Sequence, residues 1–346
     1  MHEVLRTDTD KYFIQQYSHE DYQHGGIGYT DAEQVLKGRG YQPIAFPHQD
    51  RFSIGAKLSR FSYLFRTYLR IKKGSVVVFI FPVYAKMNSL LVKLLAGKGV
   101  KAICLIGDIN GLKDGDPALL NKEIAFFRRF QYFIVHNNSM KQWIGQQVPG
   151  CTASSIEFFD FLVPPVTNPG SMSSQITFAG NLEKSGFLEK LYLLQERSPS
   201  LFFHLYGPGR SQLIIQQKNV KWEGVARPYD LPGRLKGSFG LLWDGNDIDR
   251  PSGSLGDYMR YISHHKLSLY ILSKLPLIVP ATAASAGLIE RYRIGFTINN
   301  LFEIEEKINA ISADQYRQMQ ENMQELADKI SKGHCLSAAL DEISDR

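Results

Sequence analysis

No apolar run in this chain is long enough to span a bilayer; the best, residues 76–82, has the length of a strand. The opening MHEVLRTDTDKY lacks the apolar core of a signal peptide. Cysteine is scarce. Cys104, Cys151 and Cys335 are odd in number and far apart, which excludes a disulfide framework and offers no metal-ligand spacing. Such usage suits a reducing, cytoplasmic compartment. The signatures GxxxxGKS/T, HExxH and GxSxG are also missing. No DxD pair flanks a strand end. Asp247-Ile248-Asp249 fits those letters, but it lies in a loop rich in Gly, Asp and Pro, where Asp-rich turns are common. The expectation is therefore no metal and no cofactor.

What is present points to a folded enzyme-sized chain. A hydrophobic fraction of 44% argues against disorder, and 346 residues suit two domains. A formal charge of +6 favours an anionic substrate, a nucleic acid or an anionic membrane surface without choosing among them. No recognisable RNA motif with interleaved surface aromatics is present, so no nucleic-acid partner is expected.

Residues 11–17 read as a first strand, followed by HGGIGYT and a helix at 31–38 with Thr30 or Asp31 as N-cap. A strand, a glycine turn and a helix let a backbone approach a ligand closely. Yet GGIG is not a full GxGxxG, and no well-placed acidic residue follows for a ribose. For Gly25, Gly26 and Gly28 a tight turn at positive φ and a ligand loop both stay open. Residues 53–73, SIGAKLSRFSYLFRTYLRIKK, form an amphipathic basic helix. Leu58, Phe61, Phe65, Tyr68 and Leu69 make its stripe, with Lys57, Arg60, Arg66, Arg70, Lys72 and Lys73 mostly outside it. Such a helix suits a sheet cover with a solvated basic face, a membrane surface (here the inner face) or another subunit of a homo-oligomer.

Strands at 75–82, 100–106 and 133–136 then alternate with helices at 86–98, 117–129 and 137–146, which implies a parallel sheet with right-handed crossovers. Ligands of such sheets lie beyond the carboxyl ends of the strands, where Tyr84, Asp108 and His136 stand. Residues 161–174 read as a linker. A second series follows, with strands at 176–179, 201–206, 219–224, 239–243, 277–279 and 295–298. Its helices are expected at 228–235 and from His265 until Pro276 stops the latter; residues 256–264 fit no element. The fold class is α/β with two Rossmann-like domains, residues 1–160 and 175–312, and polar helices at 304–311 and 313–330 close the chain.

The helix opened by His265, Lys266, Leu267 and Ser268 offers free N–H groups and a lysine to a phosphate, though an ordinary buried α/β unit has the same pattern. Gly180 and Asn181 lead a polar loop from which Lys184 would reach a phosphate oxygen; the alternative is a surface lysine. Tyr206, Gly207 and Asp244 end strands at the cleft edge. Asp108 ends a strand of the first domain, where it would take a proton from a hydroxyl or, equally, cap a loop.

HHKLSLYILSKLPLIV, with GLIERYRIGFTI after it and FAGNLEKSGFL before it, resembles the donor half of GT-B glycosyltransferases that use UDP-sugars. The branch is that of bacterial glucosyltransferases extending GlcNAc on serine-rich adhesins and of β-1,6-galactofuranosyltransferases. The resemblance implies hexosyl transfer from a UDP-sugar to a glycan or glycoprotein hydroxyl, with no metal. It implies that Lys184 and the helix start at Lys266 face the diphosphate, and that Tyr229 in VARPYDLP lies beside the nucleotide. It also implies that Gly25, Gly26 and Gly28 receive the acceptor, and that the terminal helix, near 313–346, packs back on the first domain. The family commonly shows His-Asp where this chain has Gly107-Asp108, which puts the base in doubt. A UDP-sugar epimerase of the same fold and a non-catalytic sugar-binding module stay open as alternatives.

Overall fold

VVVFIF at Val76–Phe81 is buried along its whole length, as expected of a strand covered on both faces. It is the third of six strands in the first sheet: β1 (Lys11–Ile14), β2 (Gln42–Ile44), β3 (Val76–Phe81), β4 (Lys101–Ile106), β5 (Tyr132–Val135) and β6 (Thr152–Ser155). All pair in parallel in the order β2-β1-β3-β4-β5-β6. The second sheet holds β7 (Gln175–Ala179), β8 (Phe202–Tyr206), β9 (Val220–Gly224), β10 (Phe239–Leu241), β11 (Leu277–Pro280) and β12 (Gly295–Ile298). It is also wholly parallel, in the order β12-β11-β10-β7-β8-β9. Counted from β7, that is the doubly wound order 3-2-1-4-5-6, whose switch point lies between β7 and β10. This computed structural model describes residues 9–15, 26–46, 54–83, 86–167 and 169–345. Gly25 and Tyr84, singled out in the sequence, lie outside them.

Helices α1 (Ile27–Gly38), α2 (Ile54–Arg70), α3 (Lys86–Ala96), α4 (Asn110–Lys113), α5 (Pro117–Phe127) and α6 (Asn138–Gln147) accompany the first sheet. The second has α7 (Gln212–Ile215), α8 (Gly253–Tyr258), α9 (His265–Leu272), α10 (Ala286–Tyr292) and α11 (Ile304–Asn309). Two helices close the chain. α12 (Ala313–Ser331) packs on α9 in the second half. α13 (His334–Ser344) crosses to β5, β6 and α1, where Leu336, Leu340 and Ile343 enter the core of the first. Asp160 anchors the crossing by accepting from the first-turn N–H groups of Cys335 (3.0 Å) and Leu336 (2.8 Å).

Four local expectations are corrected. The α2 stripe does not face the sheet: Leu58, Phe61, Phe65 and Leu69 are exposed, while Leu64, Thr67 and Ile71 are buried. Ile71 stands a few residues before β3, so the short connection fixes which side of the helix turns inward. α1 begins at Ile27, and Asp31 is a buried mid-helix residue rather than a cap. Its Gly26 cap has φ −95, not a positive φ. The helix expected at 228–235 is a single turn, Pro228–Asp230. Residues left unplaced at 256–264 form the end of α8 and a segment that sends Tyr258 and Ile262 from the second half into the first core.

Candidate active site

The carboxyl ends of the two sheets face one cavity of about 410 Å³. Its walls include Tyr29, Asp108, Lys113 and His136 from the first half, and Gly180, Asn181, Asp244, His264, His265 and Lys266 from the second. Helix α9 starts at this wall, and among the described residues no side chain caps its first turn, so backbone N–H groups are left for a ligand. Beside it Asp244 gathers a half-buried cluster. His264 Nε2 donates to Oδ2 (2.8 Å) and Lys266 Nζ to Oδ1 (3.2 Å), and the ammonium also sits 4.3 Å over the Phe178 ring. Burial alone would raise the Asp244 carboxyl, but the charges of Lys266 and His264 outweigh it and hold it well below the usual carboxylate range.

Glycines at the switch point are there for space. A Cβ on Gly207, at φ +133, would lie 1.8 Å from the Gly180 carbonyl, so the chain after β8 passes the end of β7 only with glycine at 207, while a Cβ on Gly180 would press on the Lys266 side chain at 3.0 Å. On the facing side, a Cβ on Gly107 would meet the Tyr29 ring at 2.6 Å. Tyr29 thus fills the space in which a histidine side chain at 107 would stand.

Asp108 is held at both oxygens. Lys113 Nζ donates to one (2.8 Å), and the hydroxyl of Tyr258 donates to the other (3.2 Å) while accepting from Ile109 N–H (2.7 Å). His136 ties the halves together, with Nε2 donating to the Ile106 carbonyl (3.0 Å) and Nδ1 accepting from Ser263 N–H (3.3 Å). Burial lowers its pKa to about 4, as it does for His265, so both rings are neutral near pH 7. His265 packs against Phe159 and Phe161, and its buried Nε2 has no partner among the described residues. The Cβ position of Gly28 lies 3.5 Å from that ring, which brings α1 against α9.

The structure thus gathers Gly28, Asp108, Gly180, Asn181, Tyr206, Gly207, Asp244, His265 and Lys266 around one cavity. The Tyr206 hydroxyl itself turns to the 234–236 loop, donating to the Arg234 carbonyl. Lys184 ends a turn, Leu182–Lys184, as an exposed residue outside the cavity wall. Leu267 is buried, and Ser268 donates to the Phe159 carbonyl (2.5 Å), so both serve packing. Gly26 caps α1. Asp247 pairs with Lys190 (2.5 Å) on the far loop. Tyr29, Lys113, Tyr258 and His264 were not singled out from the sequence, where only the neighbour of His265 gave any signal.

Tyr229 reaches across the cleft and donates to Asp31 (2.8 Å), which also accepts from Leu162 N–H (3.2 Å). Burial, opposed by these bonds, pushes the Asp31 carboxyl up to about 6. A folded-state pKa above the unfolded one means that stability is greatest with the proton bound. It falls as pH rises from about 4 to about 6. Two pH units correspond to roughly 2–3 kcal/mol. Asp31→Asn imitates the protonated acid, accepting from Leu162 and donating to Tyr229. It is expected to raise the melting temperature near neutral pH and to flatten its decline across that window. A decline as steep as in the parent would remove Asp31 as its source.

Two Rossmann-like domains facing one cavity define the GT-B class of fold. Within it, the chain belongs to the Glucosyltransferase 3-like family: the profile of that family's N-terminal domain matches residues 11–153, and that of its C-terminal domain residues 176–343. The beta-1,6-galactofuranosyltransferase WbbI of Escherichia coli is 25% identical over 285 residues, 80% of this chain and 81% of its own. Glucosyltransferase 3 of Streptococcus gordonii is 24% identical over 315 residues, 89% of this chain and 90% of its own. Among solved structures, sucrose-phosphate synthase from Thermosynechococcus elongatus superposes with a TM-score of 0.65 at 12% identity, covering 95% of this chain and 97% of that one. HepE of Anabaena, in complex with UDP and glucose, gives 0.59 at 11%, covering 96% and 100%. At such identities the structural likeness speaks for the fold alone.

Proposed function

We propose that the protein is a glycosyltransferase of the cytoplasm. It moves a hexosyl group, glucose or galactofuranose, from a UDP-sugar to a sugar hydroxyl on a glycan or glycoprotein. The observation that carries this reading is the uncapped start of α9 beside Lys266 at the switch point, a cationic end facing a cavity shared with Asp108. In this reading the N–H groups of α9 and Lys266 take up charge that develops on the departing diphosphate, without a metal. Asp108, across the cavity, accepts the proton of the attacking hydroxyl. The names of the two relatives support glucose or galactofuranose as the sugar, and the UDP held by a structural neighbour supports UDP as the nucleotide.

Titration with UDP tests the donor side. Lys266→Ala is expected to weaken UDP binding by roughly 1.5–3 kcal/mol, about ten- to a hundred-fold. Lys184→Ala is expected to weaken it less, since Lys184 stands outside the cavity wall. Unchanged affinity in both variants would sink the diphosphate assignment. Turnover, followed as UDP released in the presence of acceptor, should survive EDTA. A loss restored by manganese or magnesium would return Asp247 and Asp249 to the mechanism.

A further inference from the structure

The exposed face of α2 is the largest feature that the catalytic reading leaves unused. Leu58, Phe61, Phe65 and Leu69 are 67%, 58%, 55% and 58% exposed. Their spacing of three and four residues puts them on one stripe, opposite the buried Leu64, Thr67 and Ile71. Four large apolar side chains in a row are rare on a surface that meets only water.

Charge selects what covers them. Residues 51–107 contain 11 Lys and Arg and no Asp or Glu, while the rest of the chain holds 29 against 34, a formal −5. The whole positive excess therefore belongs to this segment. Arg66 and Arg70 flank the stripe as exposed side chains. Lys72 and Lys73 stand just beyond its end, the first paired with Asp10 at 3.2 Å, and Lys93 is exposed on the adjoining α3. A second copy seated on the same face would set cations against cations. An anionic partner that also accepts apolar side chains meets both requirements.

We propose that α2 docks the protein on a bilayer containing anionic phospholipid. Leu58, Phe61, Phe65 and Leu69 enter the boundary between headgroups and acyl chains, and the flanking arginines and lysines meet the phosphates. No helix among the described residues is long and apolar enough to cross a membrane, so the contact lies on the surface. This inference stands independently of the reaction that the cavity performs.

Flotation of the full chain with lipid vesicles tests it. The protein is expected to float with phosphatidylcholine vesicles containing about one third phosphatidylglycerol and to stay behind with phosphatidylcholine alone. Replacing Phe61 and Phe65 by Ser is expected to lower the partition coefficient by about tenfold per residue. Arg66→Gln and Arg70→Gln should each lower it about fivefold. Phe61, Phe65 and Arg66 are exposed, so their variants should melt like the parent, whereas Arg70 also donates to Gln42 (2.6 Å) and lies over the Tyr12 ring, so its variant is read beside its own melting curve. The proposal is overturned if the parent fails to float with anionic vesicles, or if the Phe→Ser pair floats as well as the parent. It also fails if sedimentation without lipid shows a dimer that the Phe→Ser pair abolishes, because a second copy then covers the stripe.

Discussion

Asp244→Ala is expected to destabilise the protein by about 3–5 kcal/mol, the usual cost of leaving a buried charge without its partner. The carboxylate receives both His264 and Lys266, whose side chains are 11% and 19% exposed. Once it is removed, water does not reach the Lys266 ammonium well enough to replace it. The acid limb of the stability curve should change too. A carboxyl depressed in the folded state contributes stability above its unfolded value, near 3.9, and loses it as pH falls through and below that value. The variant should therefore lose less stability in acid than the parent does. Denaturant midpoints against pH measure both effects. Pairing Asp244→Ala with Lys266→Met should cost less than the two changes summed, because each alone strands the other's charge. An unchanged midpoint, or strict additivity, would mean that the cluster is solvated and not a buried pair.

The same cluster shows how far the sequence could be read. HHKLSLYILSKLPLIV is legible because the apolar residues of its helix are all buried and Pro276 bars any helix beyond it, although α9 already ends at Leu272 with Lys274 left-handed; LIV then has only the strand to form. The alternation of apolar runs with helical periods likewise fixes both parallel sheets. What stays hidden is direction. Lys184 and Lys266 carry the same charge in similar settings, yet one ends in solvent and the other under the cavity wall, because Phe178 and Asp244 draw only the second inward. α2 carries two apolar stripes. The larger, with two phenylalanines, is the natural choice for the core, but the link from Ile71 to β3 turns the smaller one inward. Contacts over long separations, such as Tyr258 to Asp108 and Tyr229 to Asp31, leave no local pattern at all.

Under the transferase reading, Asp108→Asn is expected to lower turnover by about 10²–10⁴, the range for loss of a general base. UDP affinity should stay near that of the parent, because Asp108 lies across the cavity from Lys266 and α9. The amide keeps the volume of the acid and can still accept from Lys113 or Tyr258, so folding should be little affected. Tyr258→Phe separates positioning from chemistry. It removes the hydroxyl that orients Asp108 and leaves the Ile109 N–H without its acceptor, at a cost to stability of about 1–3 kcal/mol. Its turnover should fall less than that of Asp108→Asn, since the carboxylate and Lys113 remain. Initial rates with saturating UDP-sugar and acceptor, alongside melting curves, distinguish the cases. Turnover of Asp108→Asn within a few-fold of the parent would show that no carboxylate base acts here and that Asp108 only ties α4 and α8 together. A loss shared equally by acceptor transfer and by UDP affinity would place its effect on the closure of the two domains instead of on the proton.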